Sequence, residues 1–491
     1  MPAESYQQHV AYLEGDLAPY AKRSFEDFSD PFVNGRSSAK HFENLWRRTP
    51  QKLESRTPIQ IERDRILYSD SIRRLSEKYH VLYSGQRRIV RNYITHTMRM
   101  AHVTRSICRG LALNQDLGEA IALGSKAGAL PFIHASKKAV AEWARKKILD
   151  IDSEYAQSGR SAGVRQLKLD FGASQLPDFI QGLRSEYVIN NIRSCIPWAA
   201  GIDVGFCYTS GQQSYWQLCT EPYQGSAKPS NFSPETMFGI WRHTLGQDPL
   251  PGSFHHKCRL ELDERDVDLE LRWSHATYEG IAVQYADDFT WVLENLGDAN
   301  TASLLSRRSP SIFSELLRDL RTTFDDLPAG IYKGLSETDT GRMYGYFIND
   351  VIANAGTILR PDNDHARDRK ALRRGATSED LISCSDQARQ ILERMKTFLK
   401  NHVFNEKRVE NRYLMLYNLS KACVDLLYDE PMSAWDERFE EKMNFEQWVP
   451  EQKRLAMAKV QDKLHRVQFA INAFAEMGDQ EIYDFVGVQA F

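Results

Sequence analysis

The chain has 491 residues, of which 42% are hydrophobic and 11% aromatic, and this composition excludes a chain that is disordered along its whole length. Its formal net charge of −3 gives no indication of a nucleic-acid partner, although a local basic patch is compatible with it. Seven cysteines without a CxxC pair argue against a disulfide framework and against a structural zinc site.

Targeting and membrane-spanning patterns are both missing from the sequence. Residues 1–16 have no basic start followed by an apolar run, and no stretch of about 18 consecutive apolar residues occurs. Together with the cysteine usage, these observations predict a soluble cytoplasmic protein without a signal peptide or a membrane span.

Helical periodicity dominates the sequence. Apolar residues recur every three or four positions over 103–111 and again over 117–124, which predicts two successive amphipathic helices. Towards the C-terminus, Thr377 and Asp380 have the spacing of a capping box, and the apolar positions from 381 to 399 predict a long amphipathic helix.

One segment has the pattern of β-structure. Residues 259–273 alternate between apolar and polar side chains, and the polar residues 263–266 can form the turn of a hairpin. Three segments rich in Pro, Gly, Ser or charged residues interrupt the periodic pattern, at 220–235, 246–254 and 360–378. The sequence therefore predicts an all-α protein with a small β-hairpin.

A series of motifs follows the chain in a fixed order and spacing. They are 63–82 (RDRILYSDSIRRLSEKYHVL), 91–97 (RNYITHT), 114–137, 211–215 (GQQSY), 277–288 (TYEGIAVQYADD), 395–413 and 466–479. No single motif is decisive, but their order and spacing together resemble the dGTP triphosphohydrolase family of the HD-domain superfamily. The resemblance extends from about residue 60 to about residue 480.

The resemblance implies an HD-domain helical bundle with a hairpin insertion. We expect four regions: an N-terminal helical extension over 1–59, an HD-like core over 60–359 with the hairpin near 258–273, a charged loop over 360–378, and a C-terminal helical region over 379–491.

Enzymes of this family hold a divalent metal with a His on one helix, a His-Asp pair on a second and an Asp on a later helix. Imidazole and carboxylate ligands suit transition metals, and open coordination positions admit water and phosphate oxygens. The resemblance places His96 at the first ligand position and Asp287 at the last. The register of the HD motif is kept by Gly128, Pro131, Phe132 and His134.

The departures from the family pattern fall on the positions that carry chemistry. Ser125 and Lys126 stand where the family has its His and Asp ligands, and Tyr93 stands where it has an Arg expected to contact phosphate. Ala129 replaces an accessory His, and Lys137 replaces a Glu. The resemblance therefore implies a metal site that has been largely lost.

Candidate site residues follow from these positions. His134 is the candidate catalytic residue, with a structural or cleft-lining role as its alternative. His96 and Asp287 are the residual metal ligands, although His96 alone also fits an ordinary buried histidine. The residues expected to line a nucleotide-binding cleft are Arg65, Lys78, Tyr93, Lys126, Gln213, Asp288 and Trp291.

Two hypotheses about function remain open. The favoured one is a non-hydrolytic nucleotide-binding or regulatory protein, without a cofactor, that binds a deoxynucleotide or a related nucleotide and forms a homo-oligomer or joins a hydrolase partner. The alternative is an active triphosphohydrolase with a rebuilt Mn²⁺ or Mg²⁺ site, which converts a dNTP to deoxynucleoside and triphosphate. The resemblance would then imply a role in dNTP depletion or phage defence.

Lys126 is the most informative of the replaced residues. A lysine on an inward helix face is unfavourable unless it is paired, so it either reaches solvent or neutralises a carboxylate. Its position in the motif predicts a salt bridge with Asp287, a cation of the protein in place of the metal.

Overall fold

The structure is a computed structural model, and its described residues form seven continuous ranges and six single positions. The ranges are 58–79, 91–111, 113–157, 278–301, 311–358, 382–430 and 463–487, and the single positions are 214, 218, 232, 236, 239 and 240. The expected N-terminal extension up to residue 57, the hairpin near 258–273 and the charged loop over 360–378 lie outside these residues.

Thirteen α-helices make up the regular structure of the described residues. In chain order they are α1 (Pro58–Leu67), α2 (Asp70–Arg74), α3 (Tyr93–Gly110), α4 (Gln115–Gly124), α5 (His134–Gln157), α6 (Tyr278–Thr301), α7 (Ile312–Arg321), α8 (Ala329–Ser336), α9 (Thr340–Ile358), α10 (Asp386–Leu399), α11 (Lys407–Asp429), α12 (Lys463–Glu476) and α13 (Asp479–Val486). A 3₁₀ turn, Leu75–Glu77, follows α2, and a π-helical turn, Lys400–Phe404, follows α10.

The described ranges contain no β-strand, and an isolated bridge between Tyr79 and Asn92 is the β-type pairing found there. The all-α prediction is thus confirmed for this part of the chain. Among the helices of the same ranges, none combines the length and the apolar character needed to cross a membrane.

Asparagine side chains begin the two helices that the apolar pattern predicted over 103–111 and 117–124. Asn92 Oδ1 accepts the backbone N–H of Thr95 at 3.2 Å at the start of α3. Asn114 Oδ1 accepts two backbone N–H groups at 3.1 Å at the start of α4. Each cap satisfies donors that have no partner inside their helix. Both predicted helices are confirmed.

Helix α10 begins later than the sequence pattern indicated. Thr377 lies outside the described residues, residues 382–385 are not helical, and the helix begins at Asp386. Ser385 is its N-cap, and the backbone N–H and the hydroxyl of Ser385 donate to Asp350 on α9 at 2.8 and 2.6 Å. A tertiary contact therefore selects this start, which the capping-box pattern alone did not show.

Helices α3, α4 and α6 pack together in the larger of two hydrophobic clusters. A Cβ atom at Gly118 on α4 would lie 2.8 Å from Cys108 Sγ and 3.0 Å from Thr104 Cγ2 on α3, so glycine permits the close approach of these two helices. Fully buried side chains of the cluster include Ile107, Leu117, Ile121, Phe289 and Leu296.

A second hydrophobic cluster joins α5 to α11, α12 and α13. Its buried side chains include Trp143, Val424, Ile471 and Phe474. The segment between α4 and α5, residues 125–133, is here called the site turn, and it contributes to both clusters. Phe132 belongs to the second cluster and Ile133 to the first, so the site turn connects the two cores.

Candidate functional site

The side chain of Lys126 in the site turn meets the side chain of Asp287 on α6. Lys126 Nζ lies 2.7 Å from Asp287 Oδ2, with 5% and 19% of the two side chains exposed. The predicted salt bridge is confirmed. Burial lowers the pKa of Lys126, but the carboxylate of Asp287 and other neighbours raise it above its usual value, so the ammonium remains charged.

His96 on α3 lies between two carboxylates. Its Nδ1 is 2.7 Å from Glu294 Oε2, and its Nε2 is 3.5 Å from Asp287 Oδ1. Burial lowers the pKa of His96, but hydrogen bonds and charge from Asp287 and Glu294 raise it above its usual value. The ring of Tyr93 stacks on the imidazole with centroids 5.2 Å apart.

Glu294 is a site residue that sequence reasoning missed. It is fully buried, and Arg99 Nη1 lies 2.9 Å from its Oε1, while Arg91 forms a second ion pair with the same carboxylate. Glu294 lies seven residues after Asp287 on α6, two helical turns along the same face. That spacing is the signal that could have identified it.

Ser125 is the C-cap residue of α4, and its hydroxyl is used in a local hydrogen bond. It is fully buried, and its hydroxyl donates to the carbonyl of Ala122 at 2.8 Å. Ser214, one of the single described residues, ties the site turn together. Its hydroxyl donates to the carbonyl of Ser125 at 2.9 Å and accepts the backbone N–H of Gly128 at 2.8 Å.

The site turn ends in two strained residues. Phe132 and Ile133 have φ angles of 54° and 46°, in the left-handed region that non-glycine residues rarely adopt. His134 follows them as the first residue of α5 and is exposed. Surrounding protein and the ammonium groups of Lys137 and Lys126 lower the pKa of His134.

The expected cleft residue Lys78 is fully buried instead of facing an open cleft. Its Nζ donates to the carbonyls of Ala129 and Ala475 at 2.6 Å each. Burial lowers its pKa to about 7, and the charge of Arg74 contributes to the shift. A direct contact between Lys78 and a nucleotide stays a prediction that its buried position does not support.

The other residues expected to line the cleft contact different parts of the structure. Asp288 Oδ2 is 3.2 Å from Lys396 Nζ on α10, and Trp291 stacks on Phe404 of the π-helical turn with centroids 5.6 Å apart. Burial raises the pKa of Asp288 although Lys396 opposes the shift. Arg65 is half-buried on α1. Gln213 lies outside the described residues.

The donors of the site do not fit a divalent metal ion. His96 and Asp287 are close to each other, but the ammonium of Lys126 contacts the same carboxylate and repels a second cation. Within the described ranges, no group of three or more His, Cys, Asp or Glu side chains is arranged to hold a metal. The arrangement instead places a lysine ammonium of the protein beside Asp287.

Comparison with known proteins identifies relatives of this chain, although no protein-family model matches it. Deoxyguanosinetriphosphate triphosphohydrolase-like proteins of Caldanaerobacter subterraneus subsp. tengcongensis and Ralstonia pickettii are 39% and 38% identical over 122 and 128 residues. These matches cover 25% and 26% of the chain and span only 31% and 29% of those relatives.

A longer match comes from the protein of the same description in Brucella melitensis biotype 1. It is 26% identical over 389 residues, which covers 75% of the chain and 78% of the relative. The chain is homologous to the deoxyguanosinetriphosphate triphosphohydrolase-like proteins.

Proposed function

We propose that the protein binds a deoxynucleotide or a related nucleotide and does not carry out metal-dependent triphosphate hydrolysis, so that it acts as a nucleotide sensor or a regulatory subunit. One observation carries the proposal: the buried contact of 2.7 Å between Lys126 Nζ and Asp287 Oδ2. The family resemblance assigns a metal to this place, and the names of the relatives support a nucleotide ligand.

The chemistry of an ammonium group explains why binding and hydrolysis separate. A lysine ammonium is a compact charge with three donors, so it can attract a phosphate oxygen. It offers no coordination position at which a water molecule could be activated. Lys126 is held by Asp287 and stays charged, and Lys137 adds a second cation beside His134.

His134 is a weak candidate for acid or base catalysis under this proposal. Loss of water and the nearby ammonium groups lower its pKa to about 4, so the imidazole is neutral at neutral pH and binds a proton poorly. A general base works best when its pKa lies near the working pH. We therefore assign His134 to the lining of the cleft.

Activity and binding measurements on the full chain test the proposal. A panel of the four dNTPs with Mn²⁺ or Mg²⁺, assayed for triphosphate release, should give no turnover above the blank. Equilibrium dialysis with labelled dGTP and dATP should show binding that Lys126→Met weakens by about tenfold or more, the usual effect of losing a hydrogen bond to a charged group. Lys138→Met is the matched control, because Lys138 is an exposed lysine of α5.

Two outcomes would contradict the proposal. Robust turnover of a dNTP that Asp287→Ala abolishes, with stoichiometric metal in the purified protein, would favour the active triphosphohydrolase with a rebuilt site. Absence of binding to every nucleotide of the panel would overturn the nucleotide-binding proposal.

A restoration variant tests the lost metal site directly. Ser125→His with Lys126→Asp recreates the expected ligand pair beside His96 and Asp287, so the variant should gain Mn²⁺ binding that calorimetry detects. Lys126→Asp alone should bind Mn²⁺ less tightly, because it lacks the imidazole ligand. Equal Mn²⁺ binding by the native chain and the double variant would contradict the proposal.

A further inference from the structure

One buried carboxylate joins the C-terminal helices to the site turn. Asp479, the first residue of α13, is 5% exposed. Its Oδ1 accepts the backbone N–H of Phe132 at 3.0 Å, and its Oδ2 accepts the backbone N–H of Tyr79 at 3.0 Å. Two segments that are far apart in the sequence therefore meet on a single side chain.

The buried side chain of Lys78 makes the reciprocal connection. Lys78 Nζ donates to the carbonyl of Ala129 in the site turn and to the carbonyl of Ala475 near the end of α12, at 2.6 Å each. The carbonyl of Lys78 itself accepts the backbone N–H of Tyr93 at 2.7 Å, at the start of the helix that carries His96. We call Lys78 and Asp479 with these hydrogen bonds the C-terminal clamp.

The C-terminal clamp binds the backbone at the strained residues of the site turn. Phe132 and Ile133 hold positive φ angles without being glycine, a conformation that persists only when the surroundings impose it. The N–H of the first strained residue, Phe132, is the one that Asp479 binds. Lys126 of the candidate cleft lies six residues before Phe132 in the same turn, and His134 follows Ile133 directly.

We propose that Asp479 is a positioning residue for the nucleotide cleft: by holding the N–H of Phe132, it sets the conformation of the site turn and thereby the places of Lys126 and His134. Helices α12 and α13 then help to shape the site, although their side chains are not among the residues expected to contact the nucleotide. This inference deepens the proposed function and rests on it for the identity of the ligand, whereas the clamp itself rests on the geometry alone.

Hydrogen exchange on the nucleotide-free full chain tests the clamp without reference to any ligand. Asp479→Ala removes both acceptors and should make amides of the site turn and of Tyr79 exchange about tenfold faster or more, with α3 and α6 unchanged. Asp479→Asn keeps one acceptor oxygen and should give an intermediate rate. This milder variant also decides the matter if the alanine variant fails to fold.

Asp350→Ala is the matched control, because Asp350 likewise accepts two hydrogen bonds from one neighbouring segment, at Ser385. It should accelerate exchange at the start of α10 and leave the site turn unchanged. Uniformly faster exchange along the whole chain in Asp479→Asn, or unchanged exchange of the site turn in Asp479→Ala, would overturn the positioning role.

Binding measurements then connect the clamp to the cleft. With dGTP and inorganic tripolyphosphate as probes, Asp479→Asn should bind several-fold more weakly than the native chain, while Asp350→Ala should match it. Native affinity in Asp479→Asn would overturn the positioning role. If the native chain binds neither probe, the proposed function fails, while the exchange experiment still decides whether the clamp holds the site turn.

Discussion

The ion pair between Lys126 and Asp287 makes stability sensitive to the loss of one partner. Lys126→Ala leaves a carboxylate with 19% of its side chain exposed and without its ammonium. Removal of one partner from a buried pair costs about 3–5 kcal/mol. Because Asp287 keeps some water and still faces His96, we expect about 3 kcal/mol for Lys126→Ala, measured by urea denaturation at neutral pH.

The double variant Lys126→Met with Asp287→Asn is the control for this measurement. It removes both charges, so it should recover most of the lost stability, and a double-mutant cycle gives the coupling between the two side chains. A Lys126→Ala variant with the native denaturation midpoint would show that the contact contributes nothing to folding.

Ile133 is a β-branched residue at a φ angle of 46°, and this predicts an inverted order of stability for two small replacements. Ile133→Gly and Ile133→Ala both lose the buried side chain, but only glycine adopts this conformation without a steric cost. The cost for a residue with a Cβ is about 1–2 kcal/mol. We therefore expect Ile133→Gly to be more stable than Ile133→Ala by about 1 kcal/mol in thermal or urea unfolding.

The same replacement at a regular helical position supplies the comparison. Ala422 is an exposed residue inside α11, so Ala422→Gly should lose about 1 kcal/mol. If alanine were also the more stable residue at position 133, the site turn could not have the conformation described above.

Contacts between helices give two glycines opposite roles. At Gly118, a Cβ would lie 2.8 Å from Cys108 Sγ, so Gly118→Ala should push α4 away from α3 and cost about 1–3 kcal/mol. At Gly297 on α6, no heavy atom of the described residues outside the adjoining helix backbone lies within 4 Å of the added Cβ, so Gly297→Ala should gain up to about 1 kcal/mol from helix propensity.

Differential scanning calorimetry of the two alanine variants measures both effects on one scale. Gly118→Ala should melt below the native chain and Gly297→Ala above it. Equal shifts would mean that the contact between α3 and α4 is looser than a glycine requires.

At the scale of the whole molecule, we expect the chain to form a homo-oligomer. The family resemblance implies a homo-oligomer with an even number of subunits, since enzymes of the resembled family assemble as rings of dimers, and closed symmetry is the common outcome for homo-oligomers. The chain has a mass of 56.5 kDa, so light scattering at micromolar concentration should give an even multiple of that mass. A mass equal to that of one chain would contradict the prediction.

Much of the helical fold was accessible from the sequence because its causes are local. Apolar spacing predicted α3 and α4, since a helix brings residues three and four apart onto one face. The predicted start of α10 was wrong, because the helix begins after Ser385, whose backbone N–H and hydroxyl are held by Asp350 on another helix.

The sequence by itself determined the register of the motifs, and through it the pairing of Lys126 with Asp287, because a lysine turned inwards requires a counter-charge. The contact between Glu294 and His96, the buried position of Lys78 and the two hydrogen bonds of Asp479 were decided by the tertiary structure alone. Lys78 and Asp479 each bind groups about 400 positions away, and no periodicity or propensity relates residues at such separations. Only the packing of the two hydrophobic clusters brings them together and removes the water that would otherwise hydrogen-bond to these two side chains.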